Sequence, residues 1–477
     1  MTSATDRPLY SSEKAFPISA ESPLTDSEKI RRLPWALAHI AANAVFAQLV
    51  FTGPVFVLFL TELGLDKAQV GLLLALFPLA GVVAPFIAPL VARFGYKRVF
   101  VSLWGTRKLV AACLILTPWV AGRVGPEGTL RFVAGVLAVF ALCRAIAETA
   151  LFPWLREFVP DRVRGRFVAV DSILSTLFGF AAVSLAGYVI ARTPGLTGFT
   201  RLIGVGVVFG LLCVVAAAFI PGGAPIPRER TAGLAAGAVF AALRDRSFGR
   251  FLAGLGLMAL GAVPLTSFLP LFARERIGLA QANVILLQNA LLAGGLLFGY
   301  LWGLAADRRG SKPVMLAGVA GAALLPALWL AVPGQSAWSF PLALAMAFLT
   351  GIVAPAWSIG STRFLFIDVA PADGAERYMA AYYAWAGLTG AFGAMLAGRV
   401  LESLQSLSQT GGPALDPYGL LFGAGVIFSL ASLVLLAQIR SRAVCGGWAI
   451  RVSPARSPRA RLPSAPRRGS GAHGLCG

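Results

Sequence analysis

Long apolar runs, broken at short intervals by a few charged or turn-forming residues, fill the chain from Leu33 onward. Most reach about 20 residues, the length a helix needs to cross ~30 Å of hydrocarbon. They do not alternate apolar and polar positions in short segments, as the strands of a membrane barrel do. The pattern predicts an all-α integral membrane chain with spans near 35–61, 70–92, 99–120, 131–154, 167–190, 201–220, 250–272, 282–306, 313–332, 337–361, 379–400 and 418–438. That makes twelve. The widest internal break, Pro221 to Arg250, contains PGGAPIPRER and RDRSFGR and divides six spans from six. The expected organisation is an N-terminal segment 1–33, a six-helix bundle 34–221, a linker 222–249, a second bundle 250–438 and a tail 439–477.

Composition agrees with a membrane chain. Of 477 residues 57% are hydrophobic and only 13% charged, against about one quarter charged in soluble domains. Residues 1–33 mix acids and bases without an apolar core, so no removable signal peptide is visible and the first span is expected to direct insertion. Alternate gaps, counted from the N-terminus, hold Arg31 and Arg32; Arg93, Lys97 and Arg98; Arg156, Arg162, Arg164 and Arg166; Arg228, Arg230, Arg244 and Arg246; Arg308, Arg309 and Lys312. The intervening gaps hold only scattered bases such as Lys67, Arg123, Arg192, Arg201, Arg274 and Arg276. Positive-inside bias then puts both termini in the cytoplasm, in the inner membrane if the source is bacterial. The net charge of +20 is accounted for by that bias and a basic tail, so no nucleic-acid partner is implied.

The stretch GLAADRRGSK (303–312) sets an acid and three bases between two apolar runs, and a shift of 215 positions shows why it matters. The shift carries Ala80, Ala84 and Ala88 onto Gly295, Gly299 and Gly303, and Arg93, Gly95, Lys97 and Val99 onto Arg308, Gly310, Lys312 and Val314. A second correspondence, shifted by 211, sets VPDRVRGRF (159–167) against APADGAERY (370–378). The chain therefore contains a repeated half, and two parallel six-helix repeats flanking a solute path are a known transporter plan. GLAADRRGSK, lying between two spans, resembles the loop signature of the major facilitator superfamily, and PDRVRGR after the fourth span is similar to a second recurring feature of that superfamily. The resemblance covers roughly residues 34–438 and implies two pseudo-symmetric six-helix bundles that rock about a central site. It is nearly silent about the substrate.

The repeat suggests a cytoplasmic gate. Rows of small residues at Ala80, Ala84, Ala88 and at Gly295, Gly299, Gly303 are expected to let helices approach closely. Asp307 gains about 0.3–1 kcal/mol beside a helix N-terminus, and Arg308 and Lys312 are placed to bridge to Asp368. Such a clamp closes the inner side and must break to open it. In the first half Ala92 replaces the acid, leaving Arg93 or Arg98 to meet Glu157 beside Gly95. The plainer alternative, that these bases serve only topology, is preferred for Arg309.

Charges within spans carry more information. Arg144 lies midway along the fourth span with Glu148 four residues on, on one helix face. A charge at that depth costs at least about 2.5–3.5 kcal/mol, so it marks a watery path or a partner. The pair is expected to couple protons to transport, with a purely structural tie as the alternative. The superfamily's antiporters carry a similar Arg, although the Gly expected shortly after it is Glu148 here. Arg107 and Lys108 are adjacent, so at most one is expected to face the path while the other snorkels; a cationic pair there suits an anionic solute. Asp171 reads as a coupling site or as the partner of a loop Arg.

A central cavity is expected to draw on Asn43, Gln48, Gln288, Asn289, Trp357, Ser358, Arg363, Tyr382, Tyr383 and Trp385, since a few polar groups on an apolar wall suit an organic solute. Interfacial anchoring and helix–helix bonding are the ordinary alternatives. His39 reads as a capped or interfacial residue in preference to a proton relay. The five cysteines show no metal or disulfide spacing, and only two histidines occur, so no metal site is expected. No GxxxxGK[ST] stretch is present, no cofactor is implied, and the chain does not read as an enzyme. Neither the GPxxGG pattern of drug–proton antiporters nor the PESPR-type signature of sugar porters appears. Residues 440–477 hold eight Arg and no acid, a composition that cannot bury a core. The expectation is a monomeric secondary transporter of a small organic solute, coupled to a proton or other ion and seated in a lipid bilayer. A uniporter and a non-transporting scaffold or sensor are the alternatives.

Overall fold

The structure, a computed structural model, describes residues 25–225, 244–370, 375–409 and 416–439. The linker bases Arg228 and Arg230, positions 371–374 of the 370–378 correspondence and the basic tail lie outside the described residues. Every span is helical. The first runs Asp26–Val50 and resumes as Gly53–Glu62 after a break at Phe51 and Thr52, where Gly53 takes a φ of +68° that a side chain would strain. The second comprises Lys67–Ala80 and Ala84–Phe94 joined by a tight turn. The third and fourth share Tyr96–Phe158, broken at Gly125 with φ +69°. The remainder are Asp161–Arg192, Leu196–Ala218, Arg246–Glu275, Gln281–Arg309, Ser311–Leu330, Ser339–Phe364, Ala375–Gln409 and Pro417–Ala437.

Ten of the described helical stretches are long and apolar enough to cross a membrane. The break at Gly125 splits one of them into two spans, and the interrupted second span supplies another, which gives twelve. Polar side chains set helix starts where the chain turns. Thr25 with Glu28 and Asp66 with Gln69 form reciprocal caps, and Asp245 and Asp416 accept from the first free N–H groups of their helices.

The spans form two six-helix bundles. Across the interface the second span packs on the eleventh and the fifth on the eighth. A single apolar core joins both bundles at the end away from the basic loops, with Phe56, Phe59, Val70 and Phe199 from one and Phe268, Phe272, Leu401 and Phe422 from the other. At the basic end each bundle has its own core: Phe100, Trp154 and Phe158 in the first, Phe251, Phe364 and Leu365 in the second. The halves are thus fused at the far end and separate at the basic end.

Close helix approach does occur on small residues, but not on the row expected from the repeat. Gly299 and Gly303 face open space. They sit on the eighth span toward the basic end, where the halves stand apart and leave nothing for them to meet. The tight crossing lies elsewhere: a methyl added at Gly71 would come within 2.6 Å of the Ala394 carbonyl and 3.0 Å of the Gly398 Cα. The matching Gly95 and Gly310 do occupy equivalent hairpins, with φ +94° and +90°. Both turns need that left-handed geometry, which explains why the repeat keeps glycine there.

Candidate functional site

Aromatic rings of the first, third and fourth spans surround the cations at mid-depth. The Arg107 guanidinium carbon lies 3.7 Å from the Trp104 ring centre and 5.0, 5.1 and 5.4 Å from those of Phe140, Phe51 and Phe46. It is 1% exposed, and Lys108 is fully buried. Neither snorkels, because the preceding turns of the third span and the Phe46 ring enclose both. Lys108 donates from Nζ to Asn43 Oδ1 at 2.9 Å, and Arg107 donates from Nη2 to the same oxygen at 3.4 Å. Among the described residues no carboxylate pairs with either. Cation–ring attraction of about 0.5–2 kcal/mol per contact holds them in place of a counter-ion.

Arg144 approaches the same Phe51 ring, its Cζ 5.7 Å from the ring centre. It donates from Nε to Glu148 Oε1 at 2.7 Å, and the two side chains remain 34% and 41% exposed. Phe140, Arg144 and Glu148 follow one another at single-turn spacing, and Phe140 packs on Phe46, Phe51 and Phe77. That stripe therefore faces the first and second spans.

Phe51 also lines a cavity of about 230 Å³ between the bundles, with Pro54, Phe56, Leu74, Leu269 and Leu287 among its apolar walls. Thr266, Ser267, Gln288 and Thr350 provide its hydrogen-bonding groups. Of the residues expected in a cavity, Gln288 lines it. Asn289 points the other way and donates to Ser184 Oγ at 2.9 Å, tying the eighth span to the fifth. Gln48 packs beside Gly179 on the fifth span. Asn43 serves the buried cations. Trp357 packs on Gly318 of the ninth span, Tyr382 stacks near Phe251 and Tyr383, and Trp385 donates to the Leu252 carbonyl. These three sit within the second bundle, where large rings fill gaps between neighbouring helices. Asp171 has no ion pair among the described residues, so the loop-Arg partner expected for it is not formed. His39 is buried against the Cys213 carbonyl at 3.0 Å rather than interfacial.

At the far end the bundles are bolted together. Lys67 donates from Nζ to Glu275 Oε2 and to Gln405 Oε1, each at 2.6 Å, while its backbone N–H reaches Glu402 at 3.1 Å. Tyr418 donates to the same Glu275 oxygen at 2.8 Å. Glu62 accepts from Arg274 at 3.0 Å and from Gln281. The Lys67, Glu62 and Ser184–Asn289 bonds are side-chain links that cross between the bundles; the Tyr418 bond stays within the second and braces Glu275. Every one lies in the half of the molecule away from the basic loops. Sequence reading missed this lock because it weighed Lys67 and Arg274 only as topological charges. The available signal was that Glu62, Lys67, Arg274 and Glu275 flank corresponding loops of the two halves.

Residues 38–394 match the sequence model of the Major Facilitator Superfamily. The chain belongs to that superfamily. Its backbone is similar to the nucleoside transporter NupG, at 16% identity and a TM-score of 0.62, over 86% of this chain and 98% of that one. It is also similar to a D-xylose-proton symporter (16%, 0.59, 84% and 97%) and to an inward-open conformation of the xylose transporter XylE from E. coli (14%, 0.60, 86% and 96%). At such identities the likeness carries the fold alone. No curated protein matches the sequence.

The superfamily's signature hairpins are present, with partners that differ from those expected. Asp307 pairs with Arg363 of the tenth span at 2.7 Å. Lys312 does not bridge to Asp368: its ammonium donates to the Ala437 and Ile439 carbonyls at 2.7 and 2.8 Å, capping the twelfth span. Unpaired carbonyls at a helix end draw a nearby cation, which explains the choice. Arg308 forms no ion pair among the described residues. In the first half Glu157 accepts from the Gly223 N–H at 2.9 Å instead of meeting Arg93 or Arg98, because the chain after the sixth span folds back over Gly95. All these bonds stay within one bundle, consistent with parted basic ends.

Proposed function

We propose that the protein is a proton-coupled secondary transporter that moves a small organic solute by alternating access. The observation that carries this reading is the one-sided distribution of cross-bundle links. With the basic loops in the cytoplasm, as positive-inside bias assigns them, the structure is closed outside and parted inside. The cycle needs the reverse state as well: the Lys67–Glu275 and Glu62–Arg274 bonds break, and the basic hairpins approach. The bundles, 34–221 and 250–438, would turn as near-rigid bodies about the cavity beside Phe51. A monomer suffices for this motion.

Glu148 is the carboxylate we assign to proton coupling. It is half-exposed at mid-depth and bound by a single N–H of Arg144, so it can be reached by protons and released by its partner. A protein of similar fold is a D-xylose-proton symporter. The test is proton movement on solute addition in proteoliposomes carrying a pH-sensitive dye. Glu148→Gln is expected to abolish it while leaving solute exchange between equal pools intact. A uniporter would show solute movement without proton movement in both proteins.

A further inference from the structure

The charges at mid-depth do not balance, and the imbalance says what the solute must bring. In the third and fourth spans Arg107, Lys108 and Arg144 stand against Glu148 alone. The second bundle offers no compensation, because its spans carry no charge between Arg250 and Arg274, between Gln281 and Ala306, or between Pro313 and Thr362. Arg107 and Lys108 are held by ring contacts and one amide oxygen, and no carboxylate among the described residues neutralises them. Two further observations point to a ligand. Arg107 Nε is buried with no hydrogen-bond partner. Arg144 holds Glu148 through Nε only, leaving both terminal nitrogens without a bonded partner among the described residues. Those two nitrogens form the fork that binds a carboxylate or phosphate with two parallel bonds.

We propose that the solute is a small organic anion whose charged group binds the two terminal nitrogens of Arg144 and draws that guanidinium away from Glu148, with Arg107, in contact with the same Phe51 ring, adding positive field. Its body reaches into the cavity that Phe51 also lines, whose phenylalanine, leucine and proline walls suit hydrocarbon. Four hydrogen-bonding side chains there are too few for a polyhydroxylated neutral solute. An organic cation is opposed by three bases. With its guanidinium partner drawn away, the Glu148 carboxylate is free to carry the proton that coupling requires. No other bond changes, and a monoanion and one proton cross together without net charge. The inference rests on the transporter reading above and specifies its substrate class.

The test is thermal unfolding of the purified full-length protein with benzoate, hexanoate, succinate and phenyl phosphate, each beside its uncharged amide or phenol and beside benzylamine or hexylamine. Ligands of the folded state raise its midpoint. The expected result is stabilisation confined to anions, lost in Arg144→Gln. Glu148→Gln, which removes the competing carboxylate, is expected to bind the same anions about tenfold more tightly, the worth of one charged hydrogen bond. A merely structural pair predicts no tightening, so this variant decides the matter if Arg144→Gln does not fold. Stabilisation by amines or neutral solutes, or by none of the anions, overturns the substrate class and leaves the transporter reading to be judged separately by its own proteoliposome measurement.

Discussion

Asn43 holds an unusual position among the polar residues, because one amide oxygen serves both Lys108 and Arg107. Replacing it with Leu leaves a fully buried ammonium with no acceptor, and a stability loss of about 1.5–3 kcal/mol is expected. Asn43→Asp, which supplies an opposite charge at the same place, should restore or exceed the original stability. Chemical unfolding in detergent distinguishes the two, and an Asn43→Leu protein as stable as the parent would contradict the assignment. Asp307→Asn is different in kind. The Asp307 and Arg363 side chains are 60% and 37% exposed, so their pair is worth at most about 1 kcal/mol and folding should be unaffected. Transport should nevertheless slow, because Arg363 at the basic end loses the partner that holds it clear of the closing hairpins. Wild-type uptake would dispose of that role. The sequence showed which charges are costly, since mid-span depth alone marks Arg107, Lys108, Arg144 and Glu148. It did not show their partners: the shared Asn43 and the Phe51 ring that both guanidinium groups approach arise from packing across three helices, which no spacing along one chain encodes.

The spans themselves were legible, because hydrocarbon thickness imposes a length that the apolar runs state directly. Breaks within them were not. The interruption at Phe51 and Thr52 falls inside an apolar run, and it is this break that turns Phe51 toward the cavity. The same holds for crossings: Gly295, Gly299 and Gly303 form a regular row, yet the intimate contact is made by Gly71 and Gly398 on the second and eleventh spans. Gly71→Val is accordingly expected to force the second and eleventh spans apart at a cost of about 1–3 kcal/mol. Cross-linking of cysteines placed at the far ends of the two spans should fall, whereas Gly299→Val, in open space, should leave it unchanged. Equal effects from both would show that the crossing is not where it is described.

The whole molecule is a balance between two closed ends, and the far-end lock sets which is favoured. Lys67 gives two charge-assisted contacts of 2.6 Å, so Lys67→Ala is expected to move the population toward the opposite state by about tenfold or more. Conversely, residues 443–477 lie beyond both bundles, and their deletion should leave transport intact; loss of flux in a folded protein would give the basic tail a part in the cycle. The repeat in the sequence foretold two halves and a path between them, but which end is closed depends on contacts between residues hundreds of positions apart. Paired spin-label distances in liposomes test the central claim most directly. Labels at Pro194→Cys and Ala337→Cys report the far end, and labels at Arg162→Cys and Arg309→Cys the basic end, all at exposed positions in a cysteine-free background. The account predicts a short far-end and a long basic-end distance in the parent, both reversing together in Lys67→Ala. Distances that stay single and unchanged at both ends, or that lengthen at both, would contradict alternating access.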